Sequence, residues 1–566
     1  MQSIKKRVSG SEAVLLSLIE EGVDTIFGYP GGAIMPVYDL LYDYHEQLHH
    51  ILTRHEQGAA HAAEAYARVT GRVGVCMVTS GPGATNLTTG LADAMIDSTP
   101  IICISGQVTS PLLGTDAFQE TDVMGFSMPI TKWNIQITKA EEIPDAFAKA
   151  FFIAQTGRPG PVMIDITKDA QFAECDFSYK KREKIRSYVP KPNLVPSQLK
   201  AAAKLINEAK KPLALFGQGV ILANAEKELQ TFLEKTGIPA AWTLLGNSAL
   251  PTDHPLNMGM LGMHGNYAPN IKTNECDVLI ALGMRFDDRV TGNLNSYAKQ
   301  ARIIHCDIDP AEVDKNVKSD VAVIADLKDI FQSIIPLVKE KTYPEWINEF
   351  HEASALEVKK VIQPDLHPEK PGLTMGEVIR RVNEHTKGDA IIVTDVGQHQ
   401  MIAARYAQIG STRSLVTSGG LGTMGFGLPA GFGAKTGCPD KTVVTVVGDG
   451  SFQMTIQELG TIRQNNAGVK IIIMNNNFLG MVRQWQQLFF EKRYSSTELE
   501  NPDFITIAKG YGIPGRKVEN RNELDKAVDE MFATDEPFLL EVVIEKEDNV
   551  FPMVPSGASV SDIRLE

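Results

Sequence analysis

Cysteine is scarce in this chain, with six residues in 566 and no two of them spaced as CxxC. Cys76, Cys103, Cys175, Cys276, Cys306 and Cys438 are scattered, several inside apolar runs. That excludes a disulfide framework and fits reduced, buried thiols in a cytoplasmic protein. Long apolar stretches are missing too. The longest are strand-sized, such as 443–447 (VVTVV), so no membrane-spanning helix is expected. A basic surplus is also absent: 69 acidic against 55 basic side chains leave a formal charge of −14, which argues against nucleic acid as the main partner. Residues 1–10 carry Lys5, Lys6 and Arg7 but no signal-peptide core. What is present is ordinary: 43% hydrophobic and 22% charged residues, enough at this length for about three or four domains with their own cores.

Short Val- and Ile-rich runs, each followed by a glycine turn and a helical pattern, recur along the chain. This is the pattern of parallel sheets covered by helices. Charged and proline-spaced stretches at 180–196 and 339–371 divide it into blocks at 1–185, 195–340 and 372–566. In the first block a strand at 73–79 enters Gly81-Pro82-Gly83, then a helix, then a strand at 100–105. In the third, a strand at 442–447 enters Gly448-Asp449-Gly450, then a helix, then a strand at 469–474. Each block closes on a further strand, at 161–166 and 538–544. The expected fold class is α/β, with three doubly wound parallel-sheet domains and the outer two alike in topology.

The sharpest motif is Gly448-Asp449-Gly450-Ser451 followed, after a helix-sized interval, by Asn475-Asn476. Taken separately, the first reads as a solvated strand-to-helix turn and the second as a loop. Together they end neighbouring strands of one parallel sheet, so their polar groups emerge on its carboxyl edge, where such sheets bind ligands. Gly450 permits close backbone approach, and the helix that follows offers N–H groups to phosphate. Asp449 and Asn476 supply hard oxygens suited to Mg²⁺, which completes its shell with phosphate and water. Other templates fail. His55 and His61 are six apart, not four, which excludes a zincin helix. Ala434 stands where a P-loop ending in Lys435-Thr436 needs glycine, and Leu222 where a dinucleotide fingerprint starting at Gly217-Gln218-Gly219 needs it.

The GDG–NN pair resembles the thiamine diphosphate motif. A second segment, RHEQGAA (54–60), resembles the one that carries the cofactor-activating glutamate of such enzymes. FGYPGGA (27–33), GTDAFQET (114–121), GRPGPV (157–162), RFDDRVTG (285–292), GMVRQW (480–485) and PMVPSG (552–557) narrow the resemblance to the large catalytic subunits of acetolactate synthases, over almost the whole chain. The resemblance implies decarboxylation of pyruvate and transfer of its hydroxyethyl group to a second 2-oxo acid, with thiamine diphosphate, Mg²⁺ and FAD as cofactors. It makes the first block a pyrimidine-binding domain, the middle block an FAD domain and the third the diphosphate and Mg²⁺ domain. Glu56 becomes the activator of the cofactor ring. Asp449, Asn476 and the main-chain carbonyl of Phe478 become metal ligands, and Gly448, Gly450 and Ser451 diphosphate neighbours. Met481 becomes the prop that bends the cofactor. Gly32, Gln119 and Lys168 would line the reaction centre and its entrance, while Arg289 and Trp485 would hold the second substrate's carboxylate and alkyl group. The alternative for Arg289 is an internal ion pair with Asp287 or Asp288. FAD contacts are implied for Arg158, Gly217, Gly219, Leu261, His264, Gly283, Arg285, Arg289, Asp307 and Asp326. The resemblance further implies a homodimer or tetramer with active sites between chains, and a small regulatory subunit. The proline- and serine-containing tail at 550–566 is expected to close over the site.

Overall fold

The computed structural model describes residues 6–566; the part of the leader reading that concerns residues 1–5 lies outside the described residues. Three six-stranded sheets form the frame, and every strand pair within them is parallel. The first contains Thr25–Tyr29, His49–Leu52, Gly74–Val78, Ile101–Gln107, Trp133–Ile137 and Val162–Thr167. The third contains Ile391–Thr394, Leu415–Thr417, Val443–Gly448, Val469–Asn475, Gly515–Val518 and Phe538–Val543. Counted along the chain, both have the lateral order 2-1-3-4-6-5. The middle sheet, Pro212–Phe216, Ala240–Trp242, Asn257–Met260, Val278–Leu282, Arg302–Asp307 and Val321–Ile324, has the order 3-2-1-4-5-6, that of dinucleotide-binding sheets. The fold class expected from the sequence holds, and so does the likeness of the outer pair. A short antiparallel ribbon of Lys6–Ser9 with Glu174–Phe177 closes the first unit.

The apolar runs are buried on both faces because helices cover both sides of each sheet; Gly74–Val78, Ile101–Gln107 and Val469–Asn475 are buried along their whole length. The alanine-rich helix Glu56–Thr70 packs against Gly427–Gly437 of the third unit. A side chain on Gly433 would begin 2.1 Å from the Ala62 carbonyl oxygen, so the two backbones approach as closely as glycine allows. Around this seam one apolar cluster joins Phe27, Ala59 and Ala63 to Leu428, Phe432 and Phe452. At its rim the Arg54 backbone N–H donates to both oxygens of Glu458, at 3.2 Å each.

The proline-marked stretch between the second and third units is mostly helical. Pro344–Glu357 runs on through Val358–Ile362 and Gln363–Leu366. Pro344 falls in the first turn, where no backbone donor is needed, and Pro364 follows the wider turn Val358–Ile362. Trp346 and Phe350 anchor it to the middle unit, and the Trp346 indole donates to the Pro212 carbonyl at 2.9 Å. At 550–566 the chain is docked: Gln484 exchanges hydrogen bonds with Val550 (2.9 and 3.1 Å), and the Val554 N–H donates to the Met263 carbonyl at 2.8 Å. The tail thereby ties helix Gly480–Phe489 to the middle unit. All six cysteines are free, five of them buried and Cys438 half-buried. No helix among the described residues is long and apolar enough to cross a membrane.

Candidate active site

Asp449 opens helix Asp449–Met454 directly after strand Val443–Gly448, and Asn476 follows the neighbouring strand Val469–Asn475. Both reach the carboxyl edge of the third sheet, and both are buried, at 2% and 4% exposure. Burial pushes the Asp449 carboxyl up to about 6, with the Asn501 amide holding against it. Asn501 Nδ2 lies 2.7 Å from Asp449 Oδ2, 3.0 Å from Asn475 Oδ1 and 3.1 Å from Asn477 Oδ1, which fixes the carboxylate against the turn. Asn476 accepts from the Phe478 N–H at 3.1 Å. The Ser451 hydroxyl is bonded to both the N–H and the carbonyl of Gly448 at 3.2 Å. Gly448, Asp449, Gly450, Ser451, Asn476, Phe478 and Met481 line one small pocket together with Gly397, Gln398 and His399.

Sequence reasoning missed that last trio. Strand Ile391–Thr394 ends just before it, and Gly397, at φ 152°, turns the chain into helix Gln398–Tyr406. A strand running into Asp395-Val396-Gly397-Gln398-His399 was the available signal. His399 is buried, its Nε2 has no protein partner, and burial lowers it to about 3. A neutral imidazole aimed into a pocket with a carboxylate and an amide oxygen suits a metal–diphosphate group: the oxygens take the cation, and the ring nitrogen, as its N–H tautomer, donates to phosphate.

A second, much larger cavity of about 1030 Å³ runs along the carboxyl edge of the middle sheet. Arg158, Gly219, Leu261, His264, Gly283, Arg285, Arg289, Asp307, Asp326 and Trp485 line it. Gly217 does not; it sits one layer behind, where a side chain would begin 2.4 Å from the Gly283 carbonyl oxygen. Arg158 is braced by Ser98 (2.8 Å) and Glu312 (2.7 Å). Asp326 caps helix Leu327–Ile334 through the Lys328 N–H. Burial raises Asp307 to about 6 and lowers His264 to about 3, and His264 Nδ1 is unpartnered. An elongated slot with cationic, acidic and glycine-lined stretches fits a dinucleotide. Arg289 is 64% exposed and only 3.8 Å from Asp288, itself 83% exposed. Asp287 is occupied in capping helix Asp288–Thr291. So loose and solvated an ion pair is worth little, and it leaves the guanidinium open to a ligand.

Met481 and Trp485 share one face of helix Gly480–Phe489, one turn apart. The two cavities meet there, with Val396, Gly397, Met424, Met481 and Val482 in the walls of both.

The remaining predicted residues lie elsewhere. Gly32, Glu56, Gln119 and Lys168 each follow a strand of the first sheet and share its carboxyl edge. Glu56 begins helix Glu56–Thr70, and its Oε2 accepts from Asn86 Nδ2 at 2.9 Å. Gln119 holds φ 59° against Gly81. None of the four lines either cavity of its own chain. Met35, Phe118 and Phe172 stand exposed on that same edge, at 48%, 88% and 65%. The structure therefore gathers the predicted residues in two groups rather than one.

Three family models cover most of the chain: thiamine pyrophosphate enzyme N-terminal TPP binding domain at 8–126, central domain at 199–334, and C-terminal TPP binding domain at 395–542. Over 567 residues the chain is 46% identical to a probable acetolactate synthase large subunit of Methanocaldococcus jannaschii, covering 98% of this chain and 95% of that one. It is 46% identical over 568 residues to the acetolactate synthase large subunit of Corynebacterium glutamicum, covering 99% and 90%. To the acetolactate synthase isozyme 2 large subunit of Escherichia coli K12 it is 45% identical over 557 residues, covering 98% and 99%. Identity at this level across all three sheets leaves one assignment: the chain belongs to the acetolactate synthase large-subunit family of thiamine diphosphate enzymes.

Proposed function

We propose that this chain decarboxylates pyruvate and joins the resulting two-carbon unit to a second 2-oxo acid. Pyruvate as acceptor gives 2-acetolactate and 2-oxobutyrate gives 2-aceto-2-hydroxybutyrate, the first common step of branched-chain amino-acid synthesis. The observation that carries this reading is the junction of the two cavities at Met481, with Trp485 and Arg289 beyond it. A decarboxylase needs only the first pocket; a carboligase also needs room and a carboxylate partner for an acceptor. Asp449, Asn476 and the Phe478 carbonyl would hold Mg²⁺, with His399 toward the diphosphate. Thiamine diphosphate supplies the electron sink that decarboxylation and carbon–carbon bond formation both require. Arg289 offers a two-point fork to the acceptor carboxylate, and Trp485 shapes the space for its alkyl group. Met481 and Val482 put apolar surface at the junction, which disfavours water there as carboligation needs. The large cavity would hold FAD in a structural role, through Arg158, Gly219, Gly283, Asp307 and Asp326.

Glu56 would hold a proton against the cofactor ring, with Gly32, Gln119 and Lys168 about the reaction centre. Because these four face neither cavity of their own chain, they would serve the cavities of a second copy, the exposed Met35, Phe118 and Phe172 covering the contact. The working unit is then a homodimer or a pair of dimers in the cytoplasm, joined by a small regulatory subunit. The chain would divide into a pyrimidine domain (1–185), an FAD domain (195–340) and a diphosphate domain (372–566), a division that the three separate sheets support. Incubation with pyruvate, Mg²⁺ and thiamine diphosphate, beside a flavin spectrum of the purified protein, tests the reading. Acetolactate is expected; acetaldehyde or an acetyl product instead would overturn it.

A further inference from the structure

In the seam between the first and third units, in the walls of neither cavity, three side chains converge. His61 and Glu64 lie on helix Glu56–Thr70 and Asp93 on helix Thr88–Ile96, and all three are 0% exposed. His61 Nδ1 is 3.7 Å from Glu64 Oε2 and 3.9 Å from Asp93 Oδ2. All three atoms lie within 4.8 Å of one another, and none has a hydrogen-bond partner. Three buried polar atoms left unpaired against each other would be costly if nothing joined them.

Each side chain is held by its other atom. Arg68 donates to Glu64 Oε1 at 2.5 Å, Ser418 Oγ donates to Asp93 Oδ1 at 2.7 Å, and Gln57 Nε2 lies 3.4 Å from His61 Nε2. Outer partners of this kind orient metal ligands; for Nδ1 to be the free nitrogen of His61, the Gln57 amide turns over so that its oxygen accepts from Nε2–H. The local charge points the same way. Glu64, Asp93, Asp97 and Asp395 crowd the seam, with Arg68 their fixed cation. Asp97 is satisfied by Arg68 and the Gly419 and Gly420 N–H groups, and Asp395 by those of Val396, Gly425 and Gly427. Glu64 and Asp93 keep one uncompensated oxygen each.

We propose that His61, Glu64 and Asp93 form a structural site for a divalent cation of the zinc or manganese kind, distinct from the metal position at Asp449. One imidazole nitrogen with two carboxylate oxygens suits Zn²⁺ or Mn²⁺ better than Mg²⁺ or Ca²⁺, which favour oxygen alone. A cation centred among these atoms would start roughly 2.2–2.5 Å from each, and a contraction of a few tenths of an ångström reaches the roughly 2.0–2.2 Å of zinc bonds. The ion would pin helix Glu56–Thr70 to helix Thr88–Ile96, whose Asp93 in turn holds Ser418 next to the 419–422 wall of the large cavity. It would thus brace the first unit's side of the seam without touching substrate.

The test reads metal content rather than turnover, so its failure is distinguishable from failure of the catalytic reading. The full chain is expressed in medium supplemented with Zn²⁺ or Mn²⁺, dialysed against EDTA to clear exchangeable Mg²⁺, and analysed by elemental mass spectrometry. About one Zn or Mn ion per chain is expected to remain in the wild type and in Asp449→Ala, and to fall about tenfold or more in His61→Gln and Asp93→Asn. Anomalous scattering from wild-type crystals at the zinc and manganese edges locates the ion even if those two variants fail to fold. A wild type holding less than about a tenth of an ion per chain, equal content in folded His61→Gln and Asp93→Asn, or an anomalous peak elsewhere would each overturn the proposal.

Discussion

The two outer units share one strand order but differ at their carboxyl edges. In the third unit the edge is closed and arranged in advance: Asp449 is clamped by Asn501, His399 is buried, and glycines bring the backbone close. In the first unit the edge is open. Glu56 is half-buried with one amide partner, and large apolar side chains around it face solvent. One edge is finished by its own chain, whereas the other is completed only by contact. Parallel-sheet topology thus sets where chemistry emerges, and side chains decide whether one chain suffices.

Glu56→Gln breaks the comparison most sharply. It should lower kcat by on the order of 10²–10⁴ while circular dichroism and cofactor binding stay near wild type; loss of binding would place Glu56 on the anchoring side. Asp449→Ala should do the reverse first, weakening Mg²⁺–thiamine diphosphate binding by roughly 100-fold in fluorescence titrations. If the two edges meet between chains, dissociating and remixing the inactive variants should restore about a quarter of wild-type activity, since half the dimers carry one intact site. No recovery in demonstrably mixed dimers would put both groups in one chain. Asn501→Ala should cost about 10–100-fold in apparent Mg²⁺ affinity with little change in saturated kcat, separating orientation from ligation.

The smallest effect concerns His264, buried in the wall of the large cavity, which folding holds neutral down to about 3. The unfolded ring takes a proton below about 6.5, so its contribution to stability is intact above that value and lost as the pH falls toward 3. Relative to His264→Gln, the apoprotein should lose about 2 kcal/mol between pH 7 and pH 5, read from urea midpoints. Parallel midpoints for the two proteins would remove His264 from the buried set.

Much of this architecture is legible in the sequence because the signals are local. A Val-rich run entering Gly-Asp-Gly declares a strand end, and the run at 442–447 differs from the observed Val443–Gly448 by one residue at each end. The connector at 339–371 is read less well. Prolines mark it as a break, yet Pro344 sits in a first turn, and tertiary burial of Trp346 and Phe350 decides for helix. Asn501 and His399 escape notice because their roles depend on partners from other elements, such as Asn475 for one and Gly448 for the other. Gly217 misleads in the opposite direction: a glycine at a strand end can serve packing behind a pocket as readily as the pocket itself.

The contact of Gly433 with the Ala62 carbonyl sets a limit on how this protein can vary. A junction made of main chain has no side chain to trim, so no compensating change on the opposite helix can make room for a methyl group there. The spacing between the outer units is therefore a constant of the architecture. Adjustments of specificity must be found in the mobile or solvent-facing parts, where residues can be exchanged one at a time.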